Sequence, residues 1–414
     1  MAPSPRLAWL LAAVSLTALV LPAGVVVLLV LALLAAAVTD LVAVRGQPRV
    51  ARSAPHVLAR GVRSPLVVEV VAPGPARVRQ PVPPDLALAP SEADGRLEAE
   101  LVPRRRGRHP LPAPAVRVQG RLGLARITTR AGEEAEVLVY PDMPAAHRLV
   151  TAVRQGRFRD PGLLTRGPLG LGTDFESIRD YLPDDDIRQV NWRASARVGR
   201  PMSNQYRVEQ DRNVILCIDA GRLMAAPVGD DATRLDVALD AAVAVALVAD
   251  EVGDQCGALA FADTVKRRVP PRRRGGRAVV EALFDLEPVL VEADYEAAFR
   301  RVGGGKRSLV LVFTDLLEET AARPLVESIP VLARRHHVVV ASVRDPDLDA
   351  LVRTPPAQVA DVFAAAVVVD ALEARERVAA QLRRAGAEVL EAPASALAAA
   401  CVATYLRAKA RARL

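Results

Sequence analysis

Residues 214–219 read VILCID, and residues 235–252 read LDVALDAAVAVALVADEV. The first run is apolar up to its closing acid, which fits a strand buried on both faces. The second has the length and period of a helix with a wide apolar face. A buried strand followed by such a helix is the repeating unit of a parallel sheet. The pattern continues downstream. Strand character recurs at 256–261, with 264–269 as a hairpin arm, and again at 308–313, 337–343 and 388–391. Helices are predicted at 277–286, 295–302, 325–335, 373–385 and 395–410. Alternating strands and helices predict an α/β fold over residues 213–414, a doubly wound parallel sheet. Ligands of such sheets sit beyond the carboxyl ends of the strands, where Asp219 and Thr314-Asp315 fall.

Directly upstream, residues 166–197 read RGPLGLGTDFESIRDYLPDDDIRQVNWRASAR. Gly167, Gly170 and Gly172 give a flexible backbone. Asp174, Glu176, Asp180, Asp184, Asp185 and Asp186 are interleaved with Arg166, Arg179, Arg188, Arg193 and Arg197, and Phe175, Tyr181 and Trp192 stand among them. Arginine holds a carboxylate with two parallel hydrogen bonds, so this mixture predicts a specific network or docking surface. Within it, Arg179, Arg188 and Arg197 are expected to lock the acids against Trp192. A metal-dependent hydrolase is the alternative: Asp184, Asp185 and Asp186 can share a cation, or crowd one another until one carboxyl stays protonated. Ser177, Ser195 and Ser203 have no histidine close in sequence, so no nucleophile and base pair is complete.

Further upstream the composition changes twice. Residues 7–44 are apolar almost throughout, broken at Pro22-Ala23-Gly24, which predicts two short helices forming a transmembrane hairpin within residues 1–46. Arg6 precedes it, and Arg45, Arg49, Arg52, Arg60 and Arg63 follow. Positive charge on both flanks predicts a two-pass protein of the cell membrane with its soluble domains in the cytoplasm. A cleaved signal peptide would leave the apolar run from Val25 without a purpose. Residues 47–150 are rich in proline and valine, with alternating runs at 66–71, 97–102, 115–119 and 135–140, and read as a small antiparallel, sandwich-like β module.

The chain of 414 residues is 51% hydrophobic but only 3% aromatic, with a net charge of +7. Its arginine runs lack interleaved aromatics and a recognisable reading module, so a nucleic-acid partner is not expected. Gly303-Gly304-Gly305-Lys306-Arg307-Ser308 imitates a phosphate loop but has Arg307 where a hydroxyl residue is needed, and it enters a strand instead of leaving one. Cys217, Cys256 and Cys401 are far apart and set in apolar surroundings. That spacing predicts buried reduced thiols in a reducing compartment, and it excludes a disulfide framework or a zinc site.

The segment 170–197 resembles the signature of the DUF58 family, roughly G-x-G-x-E-F-x-x-x-R-x-Y-x-x-G-D-D-x-R-x-I-D-W-x-x-x-A-R. Gly170, Gly172, Phe175, Arg179, Tyr181, Asp185, Asp186, Arg188, Trp192, Ala196 and Arg197 match, while Asp174, Asp184, Val190 and Asn191 replace the usual Glu, Gly, Ile and Asp. The resemblance implies a membrane hairpin, a β module, the signature over 151–212, and a von Willebrand factor A-like domain. It also implies an adaptor role in protein assembly beside a MoxR-type AAA+ ATPase, with client proteins. A-like domains often hold magnesium, and the resemblance implies Asp219, Asp294 and Asp315 as its ligands here. Asp219-Ala220-Gly221-Arg222-Leu223 lacks the two serines of the usual Asp-x-Ser-x-Ser, and Arg222 is the expected neutralising partner if no cation is held. The function expected is a membrane-anchored interaction protein without a catalytic constellation.

Overall fold

The computed structural model describes residues 2–158, 174–182, 190–207, 212–229, 232–303, 305–316 and 319–410. The chain divides into two compact units, Met1–Tyr140 and Pro141–Leu414.

In the first unit, helix α1 spans Pro5–Leu16 and is followed by a single 3-10 turn at Thr17–Leu19, and helix α2 spans Ala23–Ala43. At 1.5 Å per residue α2 is about 31 Å long, matching a hydrocarbon core of about 30 Å. It is the one described helix long and apolar enough to cross a membrane. Of the two helices expected, α1 is a short apolar helix of 12 residues.

Both helix ends that face the β module close on one turn. The hydroxyl of Ser4, the N-cap of α1, donates to the Gly123 carbonyl (2.5 Å). Asp40, near the end of α2, accepts from the backbone N–H groups of Leu122 (3.0 Å), Leu124 (2.9 Å) and Ala125 (3.1 Å). Gly120 makes room for that carboxylate, since a Cβ there would lie 2.1 Å from it. The predicted strands are present as Ser64–Val71, Arg96–Pro103, Ala115–Gln119 and Ala135–Tyr140. They belong to three sheets, antiparallel except where Val57–Ala59 runs parallel to Ala135–Tyr140. Alternation decides the inner face: Leu97, Ala99 and Leu101 point inward from one strand and join Leu66, Val68, Val116, Val137 and Val139 in a shared core.

The second unit is built on a six-stranded sheet. Its strands are β1 (Asn213–Asp219), β2 (Gln255–Phe261), β3 (Val265–Arg273), β4 (Ser308–Phe313), β5 (His337–Arg344) and β6 (Glu388–Pro393). The order is β3-β2-β1-β4-β5-β6, parallel except for β3 at the edge. All six residues of β4 are buried, so its sequence reads as an unbroken apolar run. β3 carries Lys266, Arg267, Arg268, Pro270, Pro271, Arg272 and Arg273, and charge and proline on an edge strand discourage pairing with another chain.

The helices are α3 (Met143–Arg154), α4 (Trp192–Val198), α5 (Arg234–Glu251), α6 (Gly276–Leu283), α7 (Tyr295–Val302), α8 (Glu319–Ala333), α9 (Pro346–Arg353), α10 (Val359–Arg384) and α11 (Ala394–Ala410). α5 opens with a capping box in which Thr233 and Asp236 satisfy each other's backbone N–H groups. Three helices were not expected, one of them α4 within the signature segment. α3, which the sequence reading left inside the β module up to residue 150, packs on α5. α9 precedes α10, and α10 itself begins at Val359, well before the expected 373. Only the second half of α10 is anchored: Arg375 pairs with Glu391 and donates to Ser342 Oγ (3.1 Å) and the Val343 carbonyl (2.7 Å).

All three cysteines are free and fully buried, as expected. Burial pushes the Cys217 thiol up to about 12, and those of Cys256 and Cys401 rise for the same reason.

Candidate functional site

Two places carry the residues singled out by sequence. The first is the signature segment. Its strand Asp174–Asp180 pairs antiparallel with Met202–Arg207, with a bulge between Phe175 and Ser177. This puts Asp174, Phe175 and Arg179 on one strand. Gly170, Gly172, Asp184, Asp185, Asp186 and Arg188 lie outside the described residues. Arg179 donates to the Asp180 carbonyl (3.0 Å), and Asp180 pairs with Arg200 (3.2 Å), an exposed bridge.

The departure at Asn191 has a local meaning. Asn191 is the N-cap of α4: its Oδ1 accepts from Ala194 N (2.9 Å), and its Nδ2 donates to Asn204 Oδ1 (2.8 Å). Asn and Asp cap helices equally well, so the cap survives the change, while the amide adds a donor that a carboxylate lacks. Ser195 ties the same corner by donating to the Asn191 carbonyl (2.8 Å) and accepting from Met202 N (2.8 Å). Gly199 ends the helix in the left-handed region, at φ 72°. Trp192, against which Arg179, Arg188 and Arg197 were expected to lock the acids, is 71% exposed, and Arg197 on the same short helix is exposed too.

The second place lies at the carboxyl ends of β1 and β4. The chain leaves β1 toward β2 on one side, and β4 lies on the other, so the strand order reverses between them. Asp219 is 2% exposed there. Its Oδ2 accepts from the hydroxyls of Tyr295 (2.7 Å) and Thr314 (2.7 Å), and its Oδ1 from Gly221 N (2.7 Å). Burial pushes the Asp219 carboxyl above the usual carboxylate range against these three hydrogen bonds, and Asp315 adds to the rise. The Tyr295 phenol is driven well up by burial and by the charge of Asp219. Gly221 is needed because a Cβ would lie 2.9 Å from the Val291 carbonyl and 3.0 Å from Asp219 Oδ1.

Asp315 forms a buried ion pair with Arg234, the first residue of α5, and also accepts from Leu316 N (2.9 Å). The side chains of the pair are 5% and 3% exposed. A neutralising arginine is thus Arg234, while Arg222, the one expected, pairs with Glu292.

The expected magnesium ligands do not gather. Asp219 and Asp315 sit at neighbouring strand ends, but Asp294 is exposed and caps α7 by accepting from Ala297 N (2.9 Å). Tyr295, one residue on, is what reaches Asp219. Magnesium requires several oxygen ligands in a near-octahedral array. Here the donors of Tyr295, Thr314, Gly221 and Arg234 take the carboxylate oxygens, and among the described residues no group of three or more His, Cys, Asp or Glu is placed to hold a metal. The residues present do not fit the ion.

Sequence reasoning missed Arg234 and Tyr295. The signal for Arg234 was a lone arginine opening an otherwise buried helix, since a buried charge of that kind must find a partner. Chemically the site offers buried hydrogen-bond donors and a guanidinium. None of its hydroxyls lies beside a histidine.

Uncharacterized proteins of Mycobacterium bovis and of Mycobacterium tuberculosis are each 26% identical to the chain over 196 residues, which is 45% of this chain. The chain spans 60% of the length of these curated relatives. The crystal structure of an uncharacterized membrane spanning protein from Vibrio fischeri is 15% identical, covers 49% of this chain and 99% of that chain, and gives a TM-score of 0.17. The pattern of the family described as "Protein of unknown function DUF58" matches residues 177–388. That span is just over half of the 414 residues and runs from the signature strand to the last strand of the sheet. The chain belongs to the DUF58 family.

Proposed function

We propose that the chain is a membrane-anchored interaction protein. In this reading a two-pass apolar hairpin seats it in the cell membrane with its soluble units in the cytoplasm. Its second unit is a von Willebrand factor A-like domain that docks a MoxR-type AAA+ ATPase, or that enzyme's clients, during protein assembly or maturation.

The observation that carries the reading is an apolar stripe on α9 and α10. Leu351, Val352, Val359, Val362, Phe363 and Val367 are each 40% exposed or more, and Phe363 reaches 69%. Val359, Phe363 and Val367 recur every four residues, so they share one face of α10. Grooves on partner proteins grip helices through such spacing, and a soluble surface rarely leaves so contiguous a stripe bare without a partner. The sheet order with its antiparallel edge strand supports the A-like reading. The meeting of Ser4 and Asp40 at a single turn supports a hairpin whose two ends share one side of the bilayer. α1 is short for a span, a mismatch that a bilayer absorbs by local thinning.

The test is a pull-down of the full-length protein from gently solubilised membranes, with a photoreactive residue at position 363. An AAA+ ATPase is expected in the crosslinked fraction. Phe363→Asp combined with Val367→Asp should abolish its recovery, and Arg179→Glu separates a contribution of the signature. Undiminished recovery in the double variant would remove the stripe as the docking face. Absence of any AAA+ ATPase in the wild-type fraction would refute the partner.

A further inference from the structure

A cavity of about 650 Å³ opens beyond the carboxyl ends of β1 and β4, lined by Arg222 and Ala226 after β1, Arg234 at the start of α5, Asp315 after β4, and Ala371 from α10. It sits where the strand order reverses, the place at which open α/β sheets take their ligands. One of its walls has an unmet requirement. The side chain of Arg234 is 5% exposed and paired through Nη1 with Asp315, yet its Nε is buried with no hydrogen-bond partner among the described residues. A guanidinium N–H left unpaired in a buried site is unfavourable, so this donor calls for an oxygen that the described residues do not supply.

The charge of the lining indicates which oxygen. Two arginines face the cavity and one acid, and that acid already accepts from Arg234 and from Leu316 N. Arg222, held to Glu292 and partly exposed, adds positive potential on the side open to solvent. Arg234 and Asp315 are themselves buried, and burial strengthens a charge-assisted hydrogen bond.

We propose that this cavity is a carboxylate-binding site, taking the acidic side chain of a peptide segment through Arg234 Nε, and that it works without a divalent cation because Arg234 already pairs with Asp315. The inference does not depend on the docking stripe of α10 or on the identity of any ATPase. Arg234 acts as binding group and Asp315 as its positioning residue.

The experiment uses the full-length protein in lipid nanodiscs with EDTA present. It is titrated with the capped tripeptide acetyl-Gly-Glu-Gly-amide, its Gln counterpart and inorganic phosphate, with the Arg234 Nε–H resonance as readout. Saturable binding of the Glu peptide is expected, at least about tenfold tighter than the Gln peptide, as a charge-assisted bond requires. Arg234→Met alone can fail to fold, so the decisive variant is Arg234→Met with Asp315→Leu, which removes both charges together and keeps the buried volume filled. Circular dichroism should show it folded, and the Glu peptide should no longer bind. Binding that needs added magnesium, equal binding of the Glu and Gln peptides, unaltered binding in the double variant, or no saturable response would each overturn the proposal. Phosphate binding tighter than the Glu peptide would reassign the site to a phosphoryl ligand and so overturn it as a carboxylate site.

Discussion

The pair Arg234–Asp315 allows a prediction with a sign as well as a size. Its side chains are 5% and 3% exposed, and Asp315 also accepts from Leu316 N. Arg234→Ala therefore strands a carboxylate at the strand ends, and breaking a buried pair from one side costs about 3–5 kcal/mol. At about 2 °C per kcal/mol for a unit of this size, the midpoint of thermal unfolding should fall by roughly 6–10 °C. Removing both charges is different. Arg234→Met with Asp315→Leu exchanges the desolvation of two ions for apolar packing, and the double variant should lie within about 1 kcal/mol of wild type. The assay is thermal unfolding followed by circular dichroism in mild detergent, with the two single variants and the double variant forming a cycle. A coupling of about 3 kcal/mol or more is expected. If the single losses simply add in the double variant, the pair is not a closed buried unit, and the reasoning fails.

Asp219 gives a pH dependence. Its carboxyl is raised by burial above 3.8, so its contribution to stability is complete below that value and is lost as pH rises through the folded pKa. Asp219→Asn should flatten that part of the stability curve relative to wild type, and parallel curves would contradict it. The three buried thiols should resist iodoacetamide at pH 8 in the native protein and react only after unfolding, given that Cys217 is pushed up to about 12; mass spectrometry counts the adducts. Beside the C-terminal helix, the buried Asp254 accepts from the buried Tyr405 Oη (2.5 Å), from Lys409 Nζ (2.6 Å) and from Arg212 N (3.1 Å). Lys409→Met should cost about 3 kcal/mol and Tyr405→Phe about 1.5–3 kcal/mol in urea unfolding, because the first leaves a buried charge without its counter-ion.

The parallel sheet was legible because its strands are buried on both faces. Residues 214–218 and 308–313 are continuous apolar runs, and such runs bounded by polar residues leave few other readings. The β module was legible for the opposite reason, since Arg96–Pro103 alternates strictly and so declares one wet and one dry face. The first half of α10 was missed because it packs against little. Val359–Val367 is apolar or alanine on nearly every side and has no amphipathic period to detect. α8 begins at Glu319, earlier than expected, and tolerates Pro324 and Pro330 within it. At the strand ends, sequence found Asp219 and Asp315 from their position after apolar runs. It chose Asp294 over Tyr295 and Arg222 over Arg234, because neighbours in sequence leave a helix in different directions, and only the packed fold decides which side chain is turned inward.

The closure of Ser4 and Asp40 on the Gly120–Ala125 turn has a mechanical consequence. An anchor joined to its domain at one point acts as a tether and lets the domain swivel. Here the start of α1 and the end of α2 are bonded to the same turn, by one hydroxyl and by a carboxylate that grips three backbone amides. With α2 seated in a bilayer, a torque on the β sheets is resisted at two points about a helix width apart, and it passes into the membrane as a tilt of the helical pair. In the membrane-anchored reading proposed above, the first unit would thus act as a mount that carries load from the β module to the lipid.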